Sequence, residues 1–90
     1  MKKAIWKFPI NSIGVNKIMM PMDAVILTLQ TQGNMPCMWA LCDPSKTEVE
    51  RTFEPFSTGE TFNPSNMSYI GTFQIHNGAL VFHLFEIVKK

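Results

Sequence analysis

Residues 69–86, YIGTFQIHNGALVFHLFE, constrain this chain more than any other stretch. Asn77-Gly78 is the pair that a type I′ turn prefers, because both central positions of that turn need positive φ, and the flanks are rich in aromatic and β-branched residues. The segment therefore reads as a β-hairpin with a register that can be counted. Outward from the turn, Ile75 stands against Leu80, Phe73 against Phe82 and Gly71 against Leu84, an apolar face that belongs in a core. The opposite face pairs Ile70 with Phe85, Thr72 with His83, Gln74 with Val81 and His76 with Ala79. That mixture suits a solvated sheet surface or the lining of a pocket.

A second hairpin is expected from Ala24–Gln32 and Met35–Asp43, joined by Gly33-Asn34 in a type II′ turn. Its register sets Leu29 against Met38, Leu27 against Ala40 and Val25 against Cys42 on an apolar face, with Thr28, Gln30, Cys37 and Trp39 on the other. Pro36 then falls opposite Thr31 in a non-hydrogen-bonded pair, where a missing N–H does little harm. Residues 3–8 alternate with period two, Ala4, Trp6 and Phe8 on one side and Lys3, Ile5 and Lys7 on the other, until Pro9 ends the strand. Val15–Met20 forms a short strand closed by Pro21 and Asp23. After an Asp43-Pro44-Ser45 turn, Val49–Phe53 resumes as a charged strand with Glu48, Glu50, Thr52 and Glu54 facing one way, the pattern of a sheet edge. Pro55–Ser68, with Gly59, Pro64 and several Ser, Thr and Asn residues, is the longest stretch without a period, and ordered loops of that length are often functional. Five or six short strands joined largely as hairpins imply an all-β domain, a small antiparallel sandwich or partly closed barrel, over residues 1–90.

Composition agrees with one compact domain: 90 residues, 46% hydrophobic and 17% charged. A chain of this size buries only about 60% of its unfolded surface, so its core is marginal and a homo-oligomer is expected. A formal charge of +1 is too small to suggest duplex nucleic acid as a ligand, since such proteins usually show a basic stripe, and none is expected as a partner. Lys2, Lys3, Lys7 and Lys17, with Lys89 and Lys90, read as solubilising flanks. Lys7 and Pro9 interrupt the opening MKKAIWKFPI before a secretory apolar run develops, so the chain is expected in the cytoplasm, with no membrane partner. Cys37 and Cys42 have opposite parity on one strand and cannot meet, and His76 and His83 are remote from both in sequence. Buried thiols are expected, with no disulfide and no metal site.

Catalysis needs a base beside a nucleophile, paired carboxylates or a metal. His83 beside Thr72 offers a base and a hydroxyl, but no acidic residue on that face is in place to orient the imidazole, and no enzyme activity or cofactor is expected. No phosphate-binding GxxxxGKS or GxGxxG motif is present, although Thr58-Gly59-Glu60 places a glycine in a loop where backbone N–H groups can approach an anion. Trp6, Trp39, Phe53, Phe56 and Tyr69 offer flat faces for a base, and Arg51, Lys3 and Lys7 offer charge. Trp39 stands out because it shares a face with Thr28 and Gln30. Arg51 is the sole arginine and the best bidentate anion partner in the chain. The candidate ligand-binding residues are thus Trp39, Arg51, Thr58, Thr72 and His83.

With MKKAIWKFPI at the start, PCMWALCDP in the middle and YIGTFQIHNGALVFHLFE at the end, the chain resembles a family of short bacteriophage-encoded proteins known as a domain of unknown function. It is also similar to the small phage sponge proteins that sequester cyclic nucleotide immune signals, among them the anti-CBASS type that captures cyclic dinucleotides such as cGAMP. That resemblance implies stoichiometric capture without cleavage, in a pocket built by an oligomer, inside the host cell. It assigns no individual binding residues. The alternative expectation is a protein-binding module that inhibits a host protein by adding its charged edge strand to a partner sheet.

Overall fold

Alternating side chains and two short turns organise the described residues into seven strands, one or two more than the alternation suggests: β1 (Ala4–Pro9), β2 (Asn16–Pro21), β3 (Val25–Gln32), β4 (Met35–Cys42), β5 (Glu48–Ser57), β6 (Met67–Ile75) and β7 (Leu80–Ile87). The structure, a computed structural model, describes residues 2–88, so Lys89 and Lys90 lie outside the described residues. The strands form two antiparallel sheets, ordered β1-β4-β3 and β2-β5-β7-β6, that do not close into a barrel.

Both sheets contribute to one core. Met38, Ala40 and Cys42 alternate inward from β4, and they meet Met20, Phe53, Phe73, Ile75, Phe82 and Leu84 from the larger sheet. Phe53, Met20, Met38 and Leu84 are fully buried, each stabilising the fold by about 1.5–3 kcal/mol through the surface it removes from water. Cys37 is as buried as Cys42 but leaves β4 by the opposite face and lies outside that core. Burial pushes the Cys42 thiol above its ordinary pKa.

Both turns follow from their residues. Gly33 has φ +61° and Gln32 pairs with Met35, as a type II′ connection requires. Asn77 and Gly78 have φ +56° and +85°, and Ala79 N–H donates to the His76 carbonyl at 3.0 Å. His76 also has positive φ, and its N–H donates to Asn34 Oδ1 instead of closing the ladder, which joins the two turns. Asp43 Oδ1 accepts from the N–H and hydroxyl of Ser45, stopping β4.

Two registers differ from the sequence count, both through a bulge. In β3 the ladder shifts at Leu27, so Ile26 faces Ala40 and Val25 faces Leu41, while Leu27 is exposed. In β6 it shifts at Ile70, so Phe85 faces Tyr69. A strict period of two has no means of signalling an extra residue.

β5 is not an edge. It lies between β2 and β7, with Phe53 fully buried. Alternating glutamates report one wet face of a strand, and say nothing about whether its backbone is paired. β5 also runs on through Pro55 and Phe56 to Ser57, which reduces the expected loop of 55–68 to residues 58–66. Pairing with β2 stops at Asn16 opposite Phe53; beyond it β5 is paired on one side only, and a proline is tolerated there.

The edges of the two sheets approach at β3 and β6. A Cβ built on Gly71 would stand 3.3 Å from both Cβ and Cδ2 of Leu29, although the φ of Gly71 is ordinary. Glycine is present for space. Gly71→Val is expected to destabilise the protein by about 1–3 kcal/mol through overpacking, measured by urea denaturation; an unchanged midpoint would show that the edges yield freely.

Candidate functional site

The outer face of the four-stranded sheet gathers the polar and aromatic side chains that the core does not use. Cross-strand pairing sets Thr72 beside His83 and His83 beside Phe56 in one row, and Tyr69 beside Phe85 and Phe85 beside Glu54 in the next. Thr58, one residue beyond β5, reaches back over this face. Its Oγ1 lies 2.8 Å from His83 Nε2, while Thr72 Oγ1 lies 2.9 Å from His83 Nδ1 and 2.5 Å from the Tyr69 hydroxyl. The result is a continuous chain from Thr58 through His83 and Thr72 to Tyr69. Whichever imidazole nitrogen carries the proton, one threonine can accept from it and the other can donate to its partner.

The Ile70 bulge aims Tyr69 into this chain. Without it Tyr69 would face Glu86, on the core side; with it the phenol lies against Phe85, ring centroids 5.4 Å apart, and its hydroxyl meets Thr72. Next to the hydrogen-bonded chain is an aromatic cluster. Phe62, from the 58–66 loop, stacks on Phe56 at 3.9 Å with 7° between the planes, and both present themselves to Phe85 at larger angles.

Of the five residues expected from sequence, Thr58, Thr72 and His83 come together here. Trp39 does not. It stands half-buried on the outer face of the three-stranded sheet, opposite Thr28 on one side and Lys7 on the other. Nor does Arg51, which points to the core side of β5. Its Nε and Nη2 bond the two carboxylate oxygens of Glu86 at 2.6 and 2.7 Å, and Nη1 donates to the Ala24 carbonyl at 2.6 Å. The hydrogen-bonded carboxylate raises the guanidinium pKa further. An arginine held in this way ties β5 to β7 and to the segment before β3, and has little capacity left for an anion.

Two of the three N–H groups of the Thr58-Gly59-Glu60 turn, those of Thr58 and Glu60, are likewise satisfied internally. Ser57 N–H donates to Glu60 Oε1, Thr58 N–H to the Val81 carbonyl and Glu60 N–H to the Ser57 carbonyl. A phosphate would have to displace these. Among the described residues no group of three or more His, Cys, Asp and Glu is arranged to hold a metal, and no helix is long and apolar enough to cross a membrane.

Sequence reasoning missed Phe62 and Phe85, and placed Tyr69 only among the flat faces. Phe85 was legible on the mixed face of the hairpin. Phe62 carries no local signal, since only the folded loop brings it to the sheet.

The chain belongs to the family described as a domain of unknown function, DUF7352, whose model matches residues 1–90. No curated protein and no solved structure matches it.

The two kinds of candidate differ in what their loss should do. His83→Ala is expected to cost less than about 1.5 kcal/mol, because the hydrogen bonds it removes are solvent-exposed. Arg51→Ala leaves the partly buried Glu86 without its counter-charge and is expected to cost about 3 kcal/mol. Urea denaturation of the two variants side by side checks the ranking, and equal midpoints would show that the ion pair is not structural.

Proposed function

We propose that this chain is a bacteriophage anti-defence protein that binds a cyclic nucleotide immune signal in the host cytoplasm and holds it without cleaving it. The observation that carries this reading is the Thr58–His83–Thr72–Tyr69 chain lying beside the Phe56, Phe62 and Phe85 cluster on an exposed sheet face. Ring faces stack on bases whatever their sequence, and hydroxyls suit base edges and ribose hydroxyls. His83 has threonines at both ring nitrogens in place of a carboxylate, an arrangement that favours holding over general-base catalysis. The resemblance to phage sponge proteins points the same way.

The phosphates set the harder requirement. Within one chain Arg51 is paired with Glu86 and Lys46 with Asp23, and Lys7 is bonded to Gln32. Lys17 is exposed on the candidate face, in the row of Thr52 and Ile87. A second copy would supply further lysines, which is one reason to expect an oligomer as the binding form.

A protein-binding inhibitor module is the second reading. It is favoured by Ile5, Leu41 and Val25, which form one apolar row across the outer face of the three-stranded sheet, with Ile5 60% and Val25 53% exposed. Calorimetry against a panel of cyclic dinucleotides, cyclic trinucleotides and cyclic ADP-ribose isomers, followed by heat denaturation and identification of the released nucleotide, separates the readings. Tight binding with intact ligand released is expected. An altered ligand would make the protein an enzyme, and no binding would move the protein-partner reading to first place.

A further inference from the structure

Phe56 is the one large aromatic on the outer face of the four-stranded sheet that is nearly inaccessible, at 5% exposure, and it is covered by Phe62, itself 37% exposed. The covering residue is weakly anchored. Among the described residues no hydrogen bond ties Thr61 or Phe62 to the rest of the protein; the loop is fixed at its two ends, by Ser57 and Glu60 at one and by Met67 N–H to Pro64 O and Val88 N–H to Asn66 O at the other. What holds Phe62 on the sheet is its ring, parallel to Phe56 at 3.9 Å and edge-on to Phe85 at 5.2 Å. The space it occupies therefore has the shape of a flat ring, with an aromatic floor and an aromatic wall. One border of that space is polar: His83, the cross-strand neighbour of Phe56, carries Thr58 and Thr72 on its two nitrogens.

We propose that Phe62 is a displaceable stand-in for a ligand ring, and that the slot it fills between Phe56 and Phe85 receives a nucleobase. A benzene ring satisfies the floor and the wall but offers nothing to the polar border, whereas a base stacks equally well and presents donors and acceptors along its edge to the threonine hydroxyls that His83 holds in place. A spacing of 3.9 Å leaves no room for a second ring between Phe56 and Phe62. Binding thus requires the 60–64 segment to swing away, and the free protein keeps its own aromatic floor covered until a ligand competes for it. This deepens the reading of the outer face as a nucleotide site and rests on it.

The test uses uncharged nucleosides, so that phosphate contacts play no part. Adenosine, guanosine, cytidine and uridine are titrated into the intact protein, Phe62→Ala, and Phe62→Ala combined with Phe56→Leu, each checked for folding by thermal melting. Phe56→Leu keeps the apolar volume and removes the ring face. Phe62→Ala is expected to bind at least one nucleoside ten-fold or more tightly than the unaltered protein, and the second substitution to cancel that gain. Equal binding by the unaltered protein and Phe62→Ala, or a gain that survives Phe56→Leu, would overturn the proposal. If the unaltered protein captures a cyclic nucleotide and Phe62→Ala captures it no more tightly, the slot is wrong and the capture reading stands. If nucleosides gain but no cyclic nucleotide binds either form, the slot is right and the capture reading falls.

Discussion

The close approach of β3 and β6 is the constraint on which the rest of the architecture depends. Each is the edge of its sheet, and they meet where Gly71 leaves room for Leu29. An edge strand that must bend toward another sheet needs a local change of twist, and a bulge supplies one. Both edges carry one, at Leu27 and at Ile70. The bulge at Leu27 exchanges which aliphatic side chain of β3 turns inward, so that Ile26 packs on the core and Leu27 does not. The bulge at Ile70 lets Ile70 pack against the core while Tyr69 turns outward to Phe85 and Thr72. Closing the core and equipping the outer face are thus two results of the same deformation.

Charge is organised by the same economy. A chain with eight basic and seven acidic side chains has little to spare, and its sole arginine is placed where bidentate geometry counts most, against Glu86 at one end of the core. An ion pair in that position fixes β5 against β7, and it also removes the strongest anion-binding group from the surface. What remains on the candidate face around His83 is hydroxyls, an imidazole and aromatic rings, with Glu54 beside Phe85 and with Lys17, Glu50 and Glu48 further along. Such a surface discriminates by shape and hydrogen bonding more than by Coulomb attraction. Any strongly anionic ligand must find its positive charge on the lysines or on another copy.

The hairpins were legible because turn chemistry and alternation are local. Asn77-Gly78 and Gly33-Asn34 locate their turns, and near each turn the counted pairs Phe73–Phe82, Thr72–His83 and Leu29–Met38 are those observed. Legibility fails beyond the bulges, where one extra residue reverses the faces. It fails for β5 for a different reason: Glu48 and Glu50 describe a wet face, while the neighbours that cover both edges of β5 come from distant parts of the chain. Arg51 illustrates the limit for function. Its residue type suits an anion, but its position in the alternation, shared with the buried Phe53, sends it to the core side. Thr58, Thr72 and His83 were accessible to sequence reasoning because two of them belong to the hairpin whose register could be counted.

The 58–66 loop is what the structure leaves of the aperiodic stretch 55–68, and its conformation gives the expectation of a functional loop a physical form. A loop with no role on the sheet would project its polar residues and leave Phe56 to be covered by a strand or left exposed. This one folds back so that a single aromatic side chain lies flat on another, with little else holding its middle. An exposed phenylalanine in a polar loop is unfavourable unless it has a surface to cover, and a bare Phe56 is unfavourable unless it has a cover. Each relieves the other. Since the gain comes from burial and stacking, without hydrogen bonds to break, a competing ring of similar size can take over the contact at small net cost, and the hydroxyl groups along the border, held in place by His83, then determine which rings compete best.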